Sequence, residues 1–232
     1  MQFWNRNIFN SIKSKGFTLG EVLVTLAIVG VISALTIPGI TNYINEQQYN
    51  AGVTKAYSLL SQAIINIQNN NGTVQVGTAA GWAAGALLRN DLCSALQCIK
   101  TDTDANITNS ANYFYYKSTV TTNQFVDGAP GAVLSNGMYL LQISSLNNCN
   151  GSTLNGCGSV TVDINGQNGP NMYGKDLFRF YIVLNNGVYS IVPFGAPIDG
   201  WYPRADCSSS LQNDSNVACT AARLMNPGSM PN

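Results

Sequence analysis

Histidine is missing from this chain, and charge is scarce: 11 Lys and Arg stand against 11 Asp and Glu in 232 residues, 9% of the total. Without histidine there is no usual general base near neutral pH, no Ser-His-Asp triad and little scope for transition-metal sites. Serine and threonine are plentiful but have no base beside them, so hydrolase chemistry lacks support and no enzymatic role is expected. Hydrophobic residues make up 45% of the chain, enough for a sizeable core. The polar surface must then be mostly Asn, Gln, Ser and Thr, which suits a protein outside the cytosol packed against copies of itself. Arg6, Lys13 and Lys15 are the only charges before Phe17, and without them 8 basic side chains face 11 acidic ones, a net charge of −3. A mildly acidic protein lacks the basic footprint of a nucleic-acid binder. The length allows one domain with an anchor, or two small domains, and no internal repeat is visible.

The one long apolar run spans Phe17 to Ile37. As a helix at ~1.5 Å per residue it reaches across the ~30 Å hydrocarbon core of a bilayer. Glu21 is the single charge inside it. A carboxylate held in lipid costs on the order of 2.5–3.5 kcal/mol, which makes Glu21 a functional candidate; at the headgroup level it would cost little. A secretory signal cut near Ser33-Ala34 is the chief competitor, but the run is long for one and offers no clean cleavage site. A plain signal anchor fits the hydropathy and leaves the residues around Glu21 unexplained.

Those residues are Lys15-Gly16-Phe17-Thr18-Leu19-Gly20-Glu21, preceded by a basic leader. The pattern resembles the type III signal of type IV pilins and pseudopilins, the substrates of prepilin peptidase. Gly20 departs from it, since the family usually has a bulky apolar residue there, and glycine weakens a helix interior by roughly 1 kcal/mol against alanine. The resemblance implies cleavage between Gly16 and Phe17 and N-methylation of the new amino group on Phe17. It also implies that Glu21, buried among apolar neighbours in a filament, is neutralised by the Phe17 amine of an adjacent subunit. Such a pair sets register, and breaking it typically costs about 3–5 kcal/mol.

Residues 1–16 then form a cleaved cytoplasmic leader, in keeping with the positive-inside rule. Trp4, Ile8, Phe9 and Ile12 could give the leader an apolar face on the membrane surface. Residues 17–71 form one long helix, with 17–37 the transmembrane and assembly half and 38–71 an amphipathic half. Pro38 removes a helix hydrogen bond and favours a kink, and the resemblance implies that the helix continues past it. Val53, Ala56, Tyr57, Leu60, Ala63, Ile64 and Ile67 recur at helical spacing as one apolar stripe. Asn69-Asn70-Asn71-Gly72 is a stop signal.

Residues 72–232 are expected to form a globular head. Trp82–Ile99 reads as a shorter helix, Thr101–Asn112 as polar loop with Asp102 and Asp104 solvated, and Tyr113–Tyr116 as an aromatic run packing on the core. From Ala132 the pattern changes to strands: Ala132–Leu134, the turn Ser135-Asn136-Gly137 and Met138–Ile143 form a hairpin. Ser159–Ile164 is another strand. Leu177–Leu184, Asn185-Asn186-Gly187 and Val188–Val192 form a second hairpin. Pro193, Pro197 and Pro203 end the sheet, Val217–Met225 is a short helix, and the tail from Asn226 is mobile. The fold class is α+β: one long helix packed on an antiparallel sheet of about 4–5 strands.

All six cysteines follow the apolar run: Cys93, Cys98, Cys149, Cys157, Cys207 and Cys219. An even count beyond a membrane segment suggests disulfides in an oxidising compartment. Of the 15 arrangements open to six cysteines, closeness in sequence favours Cys93–Cys98, Cys149–Cys157 and Cys207–Cys219. Zinc is disfavoured, since no pair has Cys-x₂-Cys spacing and no histidine is available. The densest run of oxygen donors is Asp163 to Asp176, where Asp163, Asn165 and Asp176 could meet around Ca²⁺. It lacks the closing Glu of an EF-hand, and a turn with capping Asp side chains is the plainer reading. No other cofactor is expected.

The reading is the precursor of a type IV pilus subunit that polymerises through its N-terminal helix. The alternatives are a pseudopilin of a type II secretion system and a membrane-anchored binding module that never polymerises. The partners implied are identical or related pilins, prepilin peptidase, the inner-membrane assembly platform and, before assembly, membrane lipid. The protein would be a single-pass inner-membrane protein with its head outside the cytosol, then part of an extracellular filament or a periplasmic pseudopilus.

Overall fold

A computed structural model describes residues 16–76, 82–102, 130–145, 149, 155–166, 168–196 and 219–225. The elements are α1 (Leu19–Asn71), α2 (Trp82–Leu96), β1 (Cys98–Asp102), β2 (Gly131–Leu134), β3 (Tyr139–Ser145), β4 (Asn155–Asp163), β5 (Leu177–Asn185), β6 (Val188–Pro193) and α3 (Cys219–Met225). The chain divides into two units, Met1–Asn45 and Glu46–Asn232. The fold is α+β, with a long N-terminal helix and an antiparallel six-stranded sheet whose strands follow chain order.

Helix α1 ends where the sequence says it should. Gly72 adopts φ +73° and its N–H bonds the Gln68 carbonyl at 2.8 Å, the left-handed cap that glycine makes without steric cost. Pro38 lies inside the helix without ending it. The hydroxyls of Thr36 and Thr41 bond the carbonyls of Ile32 and Ile37, one turn back, at 3.0 and 2.9 Å.

The core forms where the apolar stripe of α1 meets the sheet. Val53, Ala56, Leu60, Ala63, Ile64 and Ile67 are buried and cluster with Leu88 and Leu92 of α2 and with Leu140, Ile143, Val160, Phe178 and Phe180 of the sheet. Each fully buried Leu or Ile contributes about 1.5–3 kcal/mol relative to exposure. Tyr57, expected in the stripe, lies at its margin, 37% exposed, with its ring 6.3 Å from that of Phe180. Helix α2 approaches β3 so closely that a Cβ on Gly85 would strike the Ile143 carbonyl oxygen.

Both turns are built by their residues. Asn186 and Gly187 have φ of 48° and 80° between β5 and β6, the positive pair that Asn-Gly supplies in a two-residue hairpin. Ser135-Asn136-Gly137 joins β2 to β3, with Gly137 at φ +85° and the Asn136 Oδ1 accepting the Met138 N–H at 3.0 Å.

The sheet has one strand more than the 4–5 expected. The addition is β1, which the sequence pattern divides between the end of α2 and the following polar loop. Gln97, at φ 56°, turns the chain out of α2, and Thr101 and Asp102 pair with Ala132 and Gly131 on the edge of β2. An edge strand needs no apolar alternation: Lys100 and Thr101 are polar, and Ile99 is 70% exposed. A disulfide joins Cys93 of α2 to Cys98 of β1, and another joins Cys149 to the buried Cys157 of β4. The leader residues 1–15, the aromatic run Tyr113–Tyr116, Asp104, Cys207, the Cys219 side chain and the tail lie outside the described residues.

Candidate functional site

The first site is the start of α1. Thr18 is the N-cap: its Oγ1 accepts the Glu21 N–H at 3.2 Å, while the Thr18 N–H and hydroxyl donate to Glu21 Oε2 at 2.8 and 2.9 Å. This is a capping box, reciprocal bonding of the N-cap and the third helical residue that satisfies two otherwise orphaned backbone N–H groups. The Thr-x-x-Glu spacing ahead of an apolar run signals it in sequence, and the reading above passed over it. All the bonds that Glu21 accepts converge on Oε2.

After the cap, α1 is apolar on every side. Phe17, Leu26, Val31, Leu35 and Ile40 are 86%, 63%, 63%, 78% and 58% exposed, and no residue from Gly16 to Ile44 is buried. The helix is long and apolar enough to cross a membrane. The Thr25 hydroxyl bonds the Val22 carbonyl at 3.0 Å, and with Thr36 and Thr41 likewise bonded, these polar groups need no water. Internal satisfaction of that kind is what an apolar surrounding demands. Contiguous exposed apolar surface on this scale marks a surface that lipid or protein covers.

Comparison with known proteins points the same way. A type IV major fimbrial protein FimA of Dichelobacter nodosus (strain VCS1703A) is 32% identical over 93 residues, 40% of this chain and 56% of the relative. A fimbrial protein of Dichelobacter nodosus is 34% identical over 99 residues, 42% of this chain and 60% of its own length. A further Dichelobacter nodosus type IV major fimbrial protein FimA is 29% identical over 150 residues, 64% of this chain and 90% of the relative. Over these stretches the chain is similar to type IV fimbrial proteins. In the first of these matches it spans little more than half the relative's length. No family model and no solved structure matches.

In the second unit, an arginine that sequence reading missed ties three elements together. Arg223 of α3 is buried; its Nε donates to the Gly174 carbonyl at 2.7 Å, and its Nη1 donates to Glu46 Oε2 at 2.8 Å and Asn50 Oδ1 at 2.7 Å. Its guanidinium lies 5.6 Å from the Tyr49 ring centroid. Glu46, Tyr49 and Asn50 occupy one face of α1 at helical spacing, but their partner is more than 170 residues away, so no local pattern could reveal it.

The loop between β4 and β5 is the second site. The structure brings Asp163, Asn165 and Asp176 together and adds Asn171. Asp163 Oδ1 accepts the Asn165 N–H at 3.1 Å, and the Asn165 side chain hydrogen-bonds Asp176. Asp176 accepts the N–H groups of Asn171 and Met172 at 2.7 and 2.6 Å. Both carboxylates are buried. Burial first, and the Asp176 charge second, push the Asp163 carboxyl up to about 8. Burial also raises Asp176, against the pull of its backbone donors. Asp163 Oδ2, Asn165 Oδ1 and Asn171 Oδ1 are buried and have no hydrogen-bond partner. Among the described residues no group of three or more His, Cys, Asp or Glu gathers as a metal site, so any ion here would need amide oxygens.

Proposed function

We propose that this chain is the precursor of a structural subunit of a type IV pilus-like filament. The observation that carries the reading is a capping box, Thr18 with Glu21, at the head of an apolar helix that buries nothing from Gly16 to Ile44. Prepilin peptidase cuts between Gly16 and Phe17, removing residues 1–16, and methylates the new amine. Residues 17–71 serve as the membrane and assembly helix, and residues 72–232 form the head. Before assembly the protein rests in the inner membrane with its head outside the cytosol. The assembly platform then moves it from lipid into a bundle of identical or related helices, leading to an extracellular filament. Its work is mechanical.

The cap explains how one carboxylate serves two tasks. Thr18 fixes the Glu21 side chain through Oε2, so Oε1 remains able to meet the Phe17 amine of a neighbouring subunit. In the apolar interior of a filament that pair sets the stagger, since an unpaired buried charge is strongly disfavoured.

Intact mass and N-terminal sequencing of protein from a host carrying the maturation machinery test the reading. The expected product starts at N-methylated Phe17. A start beyond Ser33, or an intact Met1, overturns it. Glu21→Ala should leave cleavage intact and abolish recoverable filaments; filaments at wild-type yield would remove Glu21 from assembly.

A further inference from the structure

We propose that Arg179, with Gln142, Thr161 and Tyr173 around it, binds a small carboxylate ligand on the face of the sheet turned away from α1. Side chains alternate across a strand. Val160, Val162, Phe178 and Phe180 lie in the core with the α1 stripe, so Thr161 and Arg179, register partners on β4 and β5, share the other face. Tyr173, from the β4–β5 loop, brings its hydroxyl to 3.4 Å from Thr161 Oγ1. Gln142 of β3 reaches the same place, so three neighbouring strands and a loop converge on one guanidinium.

That guanidinium lacks a counter-charge. Arg179 is half-buried, and its Nε is buried with no hydrogen-bond partner. No carboxylate among the described residues forms an ion pair with it. Its Nη2 donates to Gln142 Oε1 at 3.4 Å, and the Tyr173 hydroxyl donates to the same oxygen at 3.4 Å. Both are longer than ordinary hydrogen bonds, and one neutral oxygen serves two donors. Buried donors nearly always have partners, and a charge taken out of water is costly unless it is paired. An anion set between Nε and Nη2 supplies what is missing.

Strand β3 is bent to meet the site. Its register with β4 shifts between Leu141 and Ser144, a β-bulge, and Gln142 takes φ 45° there. Positive φ is strained for a residue other than glycine, and bulges re-aim side chains beside functional sites. Here the bulge carries the Gln142 amide across β4 to Arg179. The donors then select the ligand. A guanidinium presents its N–H groups in a fixed fork that matches carboxylate and phosphate oxygens. One cation among neutral hydroxyl and amide groups balances one negative charge, which favours a carboxylate over a phosphate group carrying about −1.5 to −2 near neutral pH. Thr161, Gln142 and Tyr173 are 0%, 2% and 2% exposed, so a small ligand entering beside Arg179 can reach them where a broad protein surface cannot.

The test uses the full chain in detergent, titrated with sodium acetate, sodium phosphate or sodium chloride at constant ionic strength. A ligand of about four non-hydrogen atoms binds at about the millimolar level, so the series runs to about 100 mM. Acetate about tenfold above Kd should raise Tm by about 3–5 °C beyond chloride. Arg179→Gln should abolish that rise. Arg179→Lys, which keeps the charge without the fork, should weaken acetate binding at least about fivefold, and Tyr173→Phe, which keeps the ring, about fivefold. If Arg179→Gln fails to fold, the other two variants carry the test. A wild-type Tm that rises no further with acetate than with chloride overturns the proposal, and so does an undiminished rise in the variants. A larger rise with phosphate overturns the choice of a carboxylate. The inference makes no use of the N-terminal stretch of α1, so it stands or falls separately from filament assembly.

Discussion

Two stretches of α1 make opposite use of the same helix. From Phe17 to Ile44 the large apolar side chains are exposed, while from Val53 to Ile67 one stripe of them is buried. The second stretch has an amphipathic pattern and finds its partner within the chain, against β3, β4 and β5. The first is apolar all round, a composition suited to lipid or to the middle of a bundle. Each apolar side chain left in water forgoes about 1.5–3 kcal/mol, so this stretch depends on something outside its own chain. One stretch therefore serves folding, and the other is available for association.

The sharpest way to break this contrast is to truncate a leucine in each stretch. Leu60→Ala should destabilise the second unit by about 2–5 kcal/mol through lost transfer energy and a cavity. Leu26→Ala, in the exposed stretch, should leave its melting unchanged within about 0.5 kcal/mol. Denaturant melts of both variants in detergent check this, and equal losses would mean that the exposed stretch also supports the fold.

Next comes the link between the start of the second unit and α3. Arg223→Met removes the guanidinium but keeps apolar bulk. It leaves the Gly174 carbonyl and Asn50 without their donor and Glu46 without its counter-ion. Breaking buried pairs costs about 3–5 kcal/mol, and because Glu46 keeps 41% exposure the lower figure, about 3 kcal/mol, is expected. A loss below about 1 kcal/mol would show that packing, not the ion pair, holds α3.

The smallest effect belongs to the cap. Thr18→Val should cost about 1 kcal/mol, read as roughly fivefold faster amide exchange at Gly20 and Glu21 in micelles, with no change in the Tm of the second unit. Unchanged exchange would mean that Glu21 is not held by Thr18.

The elements were legible in sequence wherever a local rule acts. The stripe from Val53 to Ile67, the stop at Gly72 and the Asn186-Gly187 turn all follow from residue types at fixed spacings. The adjacent cysteine pairs Cys93–Cys98 and Cys149–Cys157 are joined, short closures that chain proximity favours. Strand β1 was missed because an edge strand is defined by the backbone partner it finds, and its side chains carry no alternation. The Asp163–Asp176 run stood out by its donors, but Asn171 did not, since only the folded loop shows which amide oxygens are buried and unpaired. Arg223 had no sequence signal at all.

What the sequence determined by itself is the division of α1 into a stretch that is apolar all round and one with a single apolar face, together with its start, its stop and the antiparallel strands that follow. Periodicity and turn chemistry act over a few residues, so they can be read directly. Only the tertiary structure decided that Arg223 meets Glu46 and Asn50, and that Asp163, Asn165, Asn171 and Asp176 share one buried loop. Burial and hydrogen-bond partnership are properties of the whole packed chain, and residues distant in sequence or alike in type acquire different roles only there.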